Sequence, residues 1–127
     1  MNATAREWLV KAEGDYQTAR RELAATDAPN FDAVCFHGQQ CIEKMIKGLL
    51  IHNGVVPPRS HDLVGLDELL RAVCQGWVCK TKDLRFLTRA AVAFRYPGES
   101  ADREDATEAF AMCTKLRESL LGLTSGS

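Results

Sequence analysis

The segment FHGQQCIEKMIK, residues 36 to 47, contains several of the side chains best suited to chemistry in this chain of 127 residues. An imidazole titrates near neutral pH and transfers a proton when a partner lies within hydrogen-bond reach, so His37 is a candidate general base. Gln40 offers an amide, and Lys44 and Lys47 offer positive charge to an anionic ligand. The alternative interpretation is a histidine with a structural partner.

Further candidate ligand-binding residues lie at predicted helix ends. Arg95 and Tyr96 directly precede a Pro-Gly pair, and His61 follows Ser60 at the start of a predicted helix. A guanidinium binds phosphate or carboxylate through two parallel hydrogen bonds, so Arg95 with Tyr96 is a candidate anion site. The competing interpretation is structural: Arg95 satisfies the last carbonyls of its helix, and His61 closes a loop.

A helical projection of the same segment separates an apolar arc from a polar side. Phe36 lies on the polar side with Gln40, Glu43 and Lys47. A large aromatic among polar residues is typical of an interface anchor, so these four residues form a candidate dimer or partner interface. The alternative is a phenylalanine covered by a loop, beside an ordinary ion pair between Glu43 and Lys47 four residues apart.

Apolar residues recurring every three or four positions predict the helices that carry these candidates. The first helix has a stripe that includes Ala5 and Leu23, and Thr4 with Glu7 resembles a capping box at its start. The second helix is predicted over residues 31 to 52, with Asn30 as its N-cap. Asn53 and Gly54 are suited to its C-terminal cap.

A third helix is predicted to begin at Ser60 or Asp62 and to end at Gly76. Its apolar stripe consists of Leu63, Leu66, Leu69, Leu70 and Val73. A fourth helix ends in the sequence RYPG, since proline disfavours a helical conformation in the residue before it. Its stripe contains Leu84, Leu87, Ala91 and Phe94.

The last helix is predicted to start at Ser100 or Asp102, and residues 122–127 are expected to form a flexible tail. No segment shows the alternation of a strand. Short loops between amphipathic helices predict an all-α, up-and-down antiparallel bundle of about five helices, four of them long. We expect one domain over residues 1–127, with its core in residues 5–121.

Composition narrows the functional classes. The net charge of −1 provides no overall basic field for nucleic acid, and no stretch is apolar enough to span a membrane, so a cytoplasmic protein is expected. The five cysteines are an odd set without a CxxC pair, which favours buried free thiols over disulfides or a metal site. We expect no metal and no cofactor.

Four segments, in this order, resemble the HEPN domain family over residues 5 to about 121. They are Trp8-Leu9-x-x-Ala12-x-x-Asp15, CFHGQQCIEKMIKGLL at 35–50, His61-Asp62-Leu63 and Arg95-Tyr96-Pro97. The resemblance implies an all-α bundle that commonly forms a homodimer. In bacteria and archaea it also implies a separately encoded minimal nucleotidyltransferase partner, in several cases as a toxin and antitoxin pair.

The resemblance also implies a catalytic pattern from which this chain departs. Some HEPN members are metal-independent endoribonucleases in which an arginine precedes a histidine by four to six residues. None of His37, His52 and His61 has an arginine at that distance, and no histidine follows Arg95. A module that binds a nucleotide or a nucleotidyltransferase is therefore expected. The alternatives are an endoribonuclease with an atypical site at Arg95, Tyr96 and His37 or His61, and a purely structural dimerisation domain.

Overall fold

Five α-helices make up the computed structural model, which describes residues 1–94 and 96–124. They are α1 (Ala3–Ala24), α2 (Phe31–His52), α3 (Leu63–Val73), α4 (Thr81–Ala93) and α5 (Arg103–Thr124). No strand occurs in the described part of the chain, which confirms the predicted all-α class. The sequence predicted four long helices, whereas three are long in the structure, with 22 residues each. The candidate Arg95 lies outside the described residues.

Side chains cap the starts of four helices, at predicted residues in α2, α3 and α5, whereas α4 has no side-chain cap. Asn30 and Asp62 accept backbone N–H groups of the first turns of α2 and α3, at 3.0 Å and 3.1 Å. The predicted capping box of Thr4 and Glu7 is wrong, because both residues lie exposed inside α1. Asn2 caps α1 instead, accepting a backbone N–H at 2.8 Å.

The start of α5 is fixed by two reciprocal hydrogen bonds. Asp102 accepts the backbone N–H of Asp105 at 2.8 Å, and Asp105 accepts that of Asp102 at 3.0 Å. Asp102 is thus the cap among the two predicted alternatives. Asp32 in the first turn of α2 accepts the N–H of Ala101 at 2.7 Å, which holds the starts of α2 and α5 together.

α2 lies at the centre of the bundle and contacts each of the other four helices. α1 runs antiparallel to it, since Asp15 bonds Lys44 whereas Ala19, later in α1, packs with Val34, earlier in α2. Gly48 allows their close approach, because a Cβ there would lie 3.2 Å from a backbone oxygen of α1. α1 and α2 therefore pack closely against each other along much of their length.

α4 and α5 complete the bundle. Asp83 near the start of α4 bonds Lys115 late in α5 at 3.0 Å, while Phe94 at the end of α4 lines a surface depression with Asp105. These two helices are therefore antiparallel, as the short connection predicted. The core between the helices is built from fully buried aliphatic side chains. The largest include Ile42, Ile46, Leu49, Leu50, Leu63, Leu66, Leu70, Leu84, Leu87, Leu116 and Leu120.

α3 buries a narrower stripe than the sequence predicted. Leu69 and Val73 are 39% and 37% exposed, because only the other three leucines of the stripe face the core. α3 also ends at Val73, with Cys74 as its C-cap, rather than at Gly76.

The predicted flexible tail is wrong in part, since residues 122–124 belong to α5; residues 125–127 lie outside the described chain. None of the described helices is long and apolar enough to cross a membrane.

Candidate functional site

The polar side of α2 is largely buried within the chain. Glu43 and Lys47, two of the four residues of the candidate dimer or partner interface, are only 3% and 6% exposed and pair with each other inside the chain. Lys47 lies over the ring of Trp8 in α1, with its ammonium 5.6 Å from the ring centroid. The segment before α3 brings His61 against Glu43. A helical projection could not predict the burial of Glu43 and Lys47, because the residues that cover them belong to other segments of the chain.

Glu43 is the centre of a buried polar network. Its carboxylate lies 3.1 Å from the Lys47 ammonium and 3.0 Å from Nδ1 of His61. Gln39 donates to the same carboxylate at 3.1 Å. A buried carboxylate requires such partners, since an isolated charge in the interior is very unfavourable. The His61 side chain itself is 80% exposed, so the buried network holds an imidazole at the surface.

A second network has the same three kinds of group. Asp15 of α1 lies 2.7 Å from Nδ1 of His37 and 2.6 Å from the Lys44 ammonium. Asp15 is 8% exposed, whereas the His37 side chain retains 29% exposure. In both networks a carboxylate is within hydrogen-bond distance of Nδ1 of the imidazole. Nε2 is bonded to no group among residues 1–94 and 96–124, so it is the ring nitrogen left for a ligand.

Two surface depressions flank Phe36 in the groove between α2 and α4. The His61 depression has a volume of about 310 Å³ and is lined by Phe36, Gln39, Gln40, His61, Thr88, Ala91 and Val92. The His37 depression, about 270 Å³, is lined by Asn30, Asp32, Ala33, Phe36, His37, Ala91 and Phe94. Phe36 and Ala91 border both, so the phenylalanine forms a ridge between the two imidazoles.

Thr88 places an unsatisfied hydroxyl in the wall of the His61 depression. Its Oγ1 is buried and has no hydrogen-bond partner among the described residues. Threonines elsewhere in the helices behave differently: Thr18 and Thr107 donate to backbone carbonyls four residues earlier, at 2.9 Å and 2.7 Å. A buried hydroxyl without a partner is costly, which makes Thr88 a candidate contact for a polar ligand atom.

Three of the predicted ligand-binding residues therefore line one groove: His37, Gln40 and His61. Lys44 and Lys47 do not line it, since their ammonium groups are bound to the two carboxylates behind it. Two further candidates are not brought to the groove by the described contacts: Tyr96 is 64% exposed on the turn after α4, and Arg95 lies outside the described residues. Some of the candidates thus line the groove, whereas the two lysines bind the carboxylates behind it.

The sequence reasoning missed three residues as parts of this site: Asp15, Gln39 and Thr88. Asp15 carried a usable signal, because it is a carboxylate on the buried stripe of α1, three residues after Ala12 and four before Ala19. Charged residues rarely occupy such positions without a partner. Gln39 and Thr88 had no comparable signal, since amides and hydroxyls are common on half-buried helix faces.

A larger depression beside the start of α1 is a less suitable site. Its volume is about 890 Å³, but it is lined almost wholly by residues between 3 and 11 of a single helix, α1, together with Lys44. A ligand pocket combines a few polar groups that converge from different elements. The depressions between α4 and α5 also combine polar groups of two helices, but the predicted candidates His37, Gln40 and His61 line the groove between α2 and α4 instead.

The cysteines lie apart from this chemistry. Cys35, Cys41 and Cys113 are fully buried, and all five thiols are free in the described chain. Burial, with Asp105 and Asp32 nearby, raises the pKa of the Cys35 thiol to about 11. A hydrogen bond with Cys113, together with burial, raises the pKa of Cys41 well above its usual range. Thiols of this kind are poor nucleophiles at neutral pH.

The groove has two chemical capabilities. An imidazole whose Nδ1 is held by a carboxylate presents Nε2 in a fixed direction, where it can accept a proton or, when protonated, bind a phosphate. The face of an aromatic ring can stack against a nucleobase. No group of three or more His, Cys, Asp or Glu side chains in the described residues is placed to hold a metal ion.

Comparison with known proteins identifies the family of this chain. A family model described as the HEPN domain matches residues 5–123. The chain belongs to the HEPN family. The HEPN domain described here is also similar to the crystal structure of an archaeal HEPN homologue, with a TM-score of 0.65 and 22% identity over 93% of this chain and 95% of that chain. At that identity the likeness concerns the HEPN fold.

The family match covers both carboxylate networks and the whole groove of this HEPN domain, since Asp15, Glu43 and Thr88 all lie within it. A comparison with curated proteins found no match.

Proposed function

We propose that this HEPN domain binds a nucleotide in the groove between α2 and α4. The observation that carries the proposal is the position of Phe36 between two imidazoles, His37 and His61, each held by a buried carboxylate. Nucleotides combine a flat aromatic base with an anionic phosphate. The groove offers a matching group for each part.

The base would stack on Phe36, whose side chain is 36% exposed at the ridge. Stacking of a base on an aromatic side chain contributes roughly 1–3 kcal/mol and tolerates different bases. The amide of Gln40, which also lines the groove, would bond polar atoms at the edge of the base. These contacts favour binding of nucleotides with limited base specificity.

A partner chain would close the groove over such a ligand. Val92 on α4 is 49% exposed and lines the His61 depression with Phe36, so the groove has an apolar margin. We propose that this partner is a second copy of the domain, which would form a homodimer, or a minimal nucleotidyltransferase, as in a toxin and antitoxin pair. Light scattering of the purified domain tests the homodimer, which Phe36→Asp is expected to dissociate.

Calorimetric titration with AMP and ATP tests the nucleotide proposal. The domain is expected to bind one or both at micromolar to millimolar concentration, and Phe36→Ala is expected to weaken binding by about tenfold through loss of stacking. Val10→Ala is the matched control, since Val10 is 70% exposed on α1 and lies outside the groove. Absence of binding up to several millimolar would leave a purely structural dimerisation domain as the better function.

A second candidate function is metal-independent RNA cleavage, favoured by the two anchored imidazoles. One Nε2 would accept the proton of a 2′-hydroxyl as its oxygen bonds to phosphorus. The other imidazolium would give a proton to the departing 5′-oxygen as the phosphorus–oxygen bond breaks. Incubation of the domain with a short fluorogenic RNA in EDTA tests this reaction. Turnover that persists in His37→Ala and His61→Ala would exclude it.

A further inference from the structure

We propose that Phe36 divides the groove into two subsites, each of which takes one phosphoryl group, so that the preferred ligand is a dinucleotide rather than a mononucleotide. The inference rests on the proposed function, because it specifies the ligand of the same groove. Its evidence is the paired construction of the two sides.

The two networks match in composition and in charge. Each contains one carboxylate, one ammonium and one imidazole: Asp15, Lys44 and His37 in the first, and Glu43, Lys47 and His61 in the second. Carboxylate and ammonium cancel, so each network is neutral with a neutral imidazole and carries one positive charge when the imidazole is protonated. Each imidazole is thus a position for one anionic group; the His37 depression is also lined by the Asp32 carboxylate, which accepts the backbone N–H of Ala101.

Neither carboxylate needs an imidazole as a partner. The carboxylates could be satisfied by their lysines and by amide or backbone donors, as Gln39 does for Glu43. Instead each also holds Nδ1 of a histidine whose ring is part of the wall of a depression. Each depression is therefore bordered by a histidine whose Nδ1 is held by a carboxylate.

The dimensions agree with a ligand that spans both sides. Each depression, at about 310 Å³ and 270 Å³, is near or below the smallest usual ligand pocket of roughly 300 Å³. Together they extend along α2 from Asn30 to Gln40, roughly 15 Å at ~1.5 Å of helix rise per residue. A dinucleotide would occupy both depressions, whereas a mononucleotide would occupy one.

Phe36 is held in place as the divider. Its ring meets that of His37 edge to face, with the centroids 5.2 Å apart. In the adjoining His61 depression, the unsatisfied Oγ1 of Thr88 and the amide of Gln40 provide polar contacts for the sugar or base on that side. Phe36 thus separates the His37 position from the His61 position and provides a surface for stacking between them.

Deoxydinucleotides with and without a 5′-phosphate test the inference by calorimetry. The probes are pdApdA and pdTpdT, with two phosphoryl groups, and dApdA and dTpdT, with one; they lack the 2′-hydroxyl, so they resist transphosphorylation. The wild-type domain is expected to bind the 5′-phosphorylated probes about tenfold more tightly or better. In ³¹P spectra, both phosphorus signals of pdApdA are expected to shift on binding.

Asparagine variants identify the groups responsible. His37→Asn and His61→Asn keep an amide donor near the position of Nδ1 for the carboxylate and remove Nε2. Each is expected to reduce the advantage of the 5′-phosphate to less than about threefold. His52→Asn is the matched control, because this third histidine lies at the end of α2 and lines neither depression. It is expected to retain the full advantage.

Three outcomes would overturn the inference while leaving nucleotide binding intact: equal affinities for probes with one and two phosphoryl groups, a shift of only one phosphorus signal, or an undiminished advantage in both asparagine variants. The ³¹P measurement uses the wild-type chain and so does not depend on the folding of any variant. Failure of every probe to bind, together with AMP and ATP, would instead contradict the proposed function.

Discussion

His61 Nδ1 lies 3.0 Å from Glu43 Oε1, although the histidine side chain is 80% exposed and the glutamate side chain only 3%. A surface imidazole is therefore held by a carboxylate from the interior of the bundle. This relationship fixes the ring in the wall of the groove while Lys47 and Gln39 satisfy the rest of the carboxylate. Removal of Glu43 would affect both the core and the groove.

Glu43→Ala is expected to lower the free energy of unfolding by about 3–5 kcal/mol, because it leaves the Lys47 ammonium buried without its partner. Urea denaturation followed by circular dichroism provides the measurement. Glu118→Ala on the exposed side of α5 serves as the control and should change stability by less than about 0.5 kcal/mol. A change of similar size in both variants would contradict the role given to the buried pair.

Gly48→Ala and Gly14→Ala should have opposite effects on stability. A Cβ at position 48 would lie 3.0 Å from Cβ of Trp8 and 3.2 Å from the carbonyl oxygen of Ala5, forcing α1 and α2 apart at a cost of about 1–3 kcal/mol. A Cβ at position 14 has no atom within 4 Å, so alanine there should stabilise the helix by about 0.5–1 kcal/mol.

Thermal unfolding of these two variants and the wild type tests the pair. The comparison is well controlled, since the chemical change is identical and only the surroundings differ. Absence of destabilisation by Gly48→Ala would show that the α1–α2 approach is looser than described, and destabilisation by Gly14→Ala would contradict the open surroundings of position 14.

Asp67→Ala is expected to destabilise the domain by about 1–3 kcal/mol, because it leaves a buried indole N–H unsatisfied. Asp67 is 2% exposed and accepts hydrogen bonds from Arg71 within α3 and from Trp77 in the loop before α4, and the Trp77 bond joins α3 to that loop. Loss of stability should accompany a change in tryptophan fluorescence. Glu68→Ala, at the exposed neighbouring position, should alter neither property.

Stability should fall as the pH rises from about 9 to about 11. The Cys35 thiol has an ordinary pKa of 9.0, which burial raises to about 11 in the folded state. Its stabilising contribution is therefore complete below pH 9 and is lost as the unfolded chain alone releases the proton. Urea midpoints across this range measure the effect. In Cys35→Ala the decline should be shallower, and an identical decline would disprove the assignment.

The sequence was most informative where a signal is local. The limits of α2, its Asn30 cap and the Asp62 cap of α3 depend on neighbouring residues, so periodicity and capping preferences predicted them. The prediction of the α1 cap was wrong because Asn2 and Thr4 both precede suitable N–H donors, and the local pattern did not distinguish them. The burial of Glu43 was not predicted for a different reason, because it depends on segments far away in the chain.

The amino-acid sequence by itself determined an all-α domain, the family to which it belongs and the helix on which most of the candidate residues lie, because periodicity, caps and motifs are written in consecutive residues. Only the tertiary structure decided which candidates share a groove. Asp15 and His37 lie 22 positions apart and Glu43 and His61 lie 18 apart, and packing of separate segments brings each pair into hydrogen-bond contact. Such pairing depends on the directions in which side chains meet across the bundle, and no local pattern encodes them.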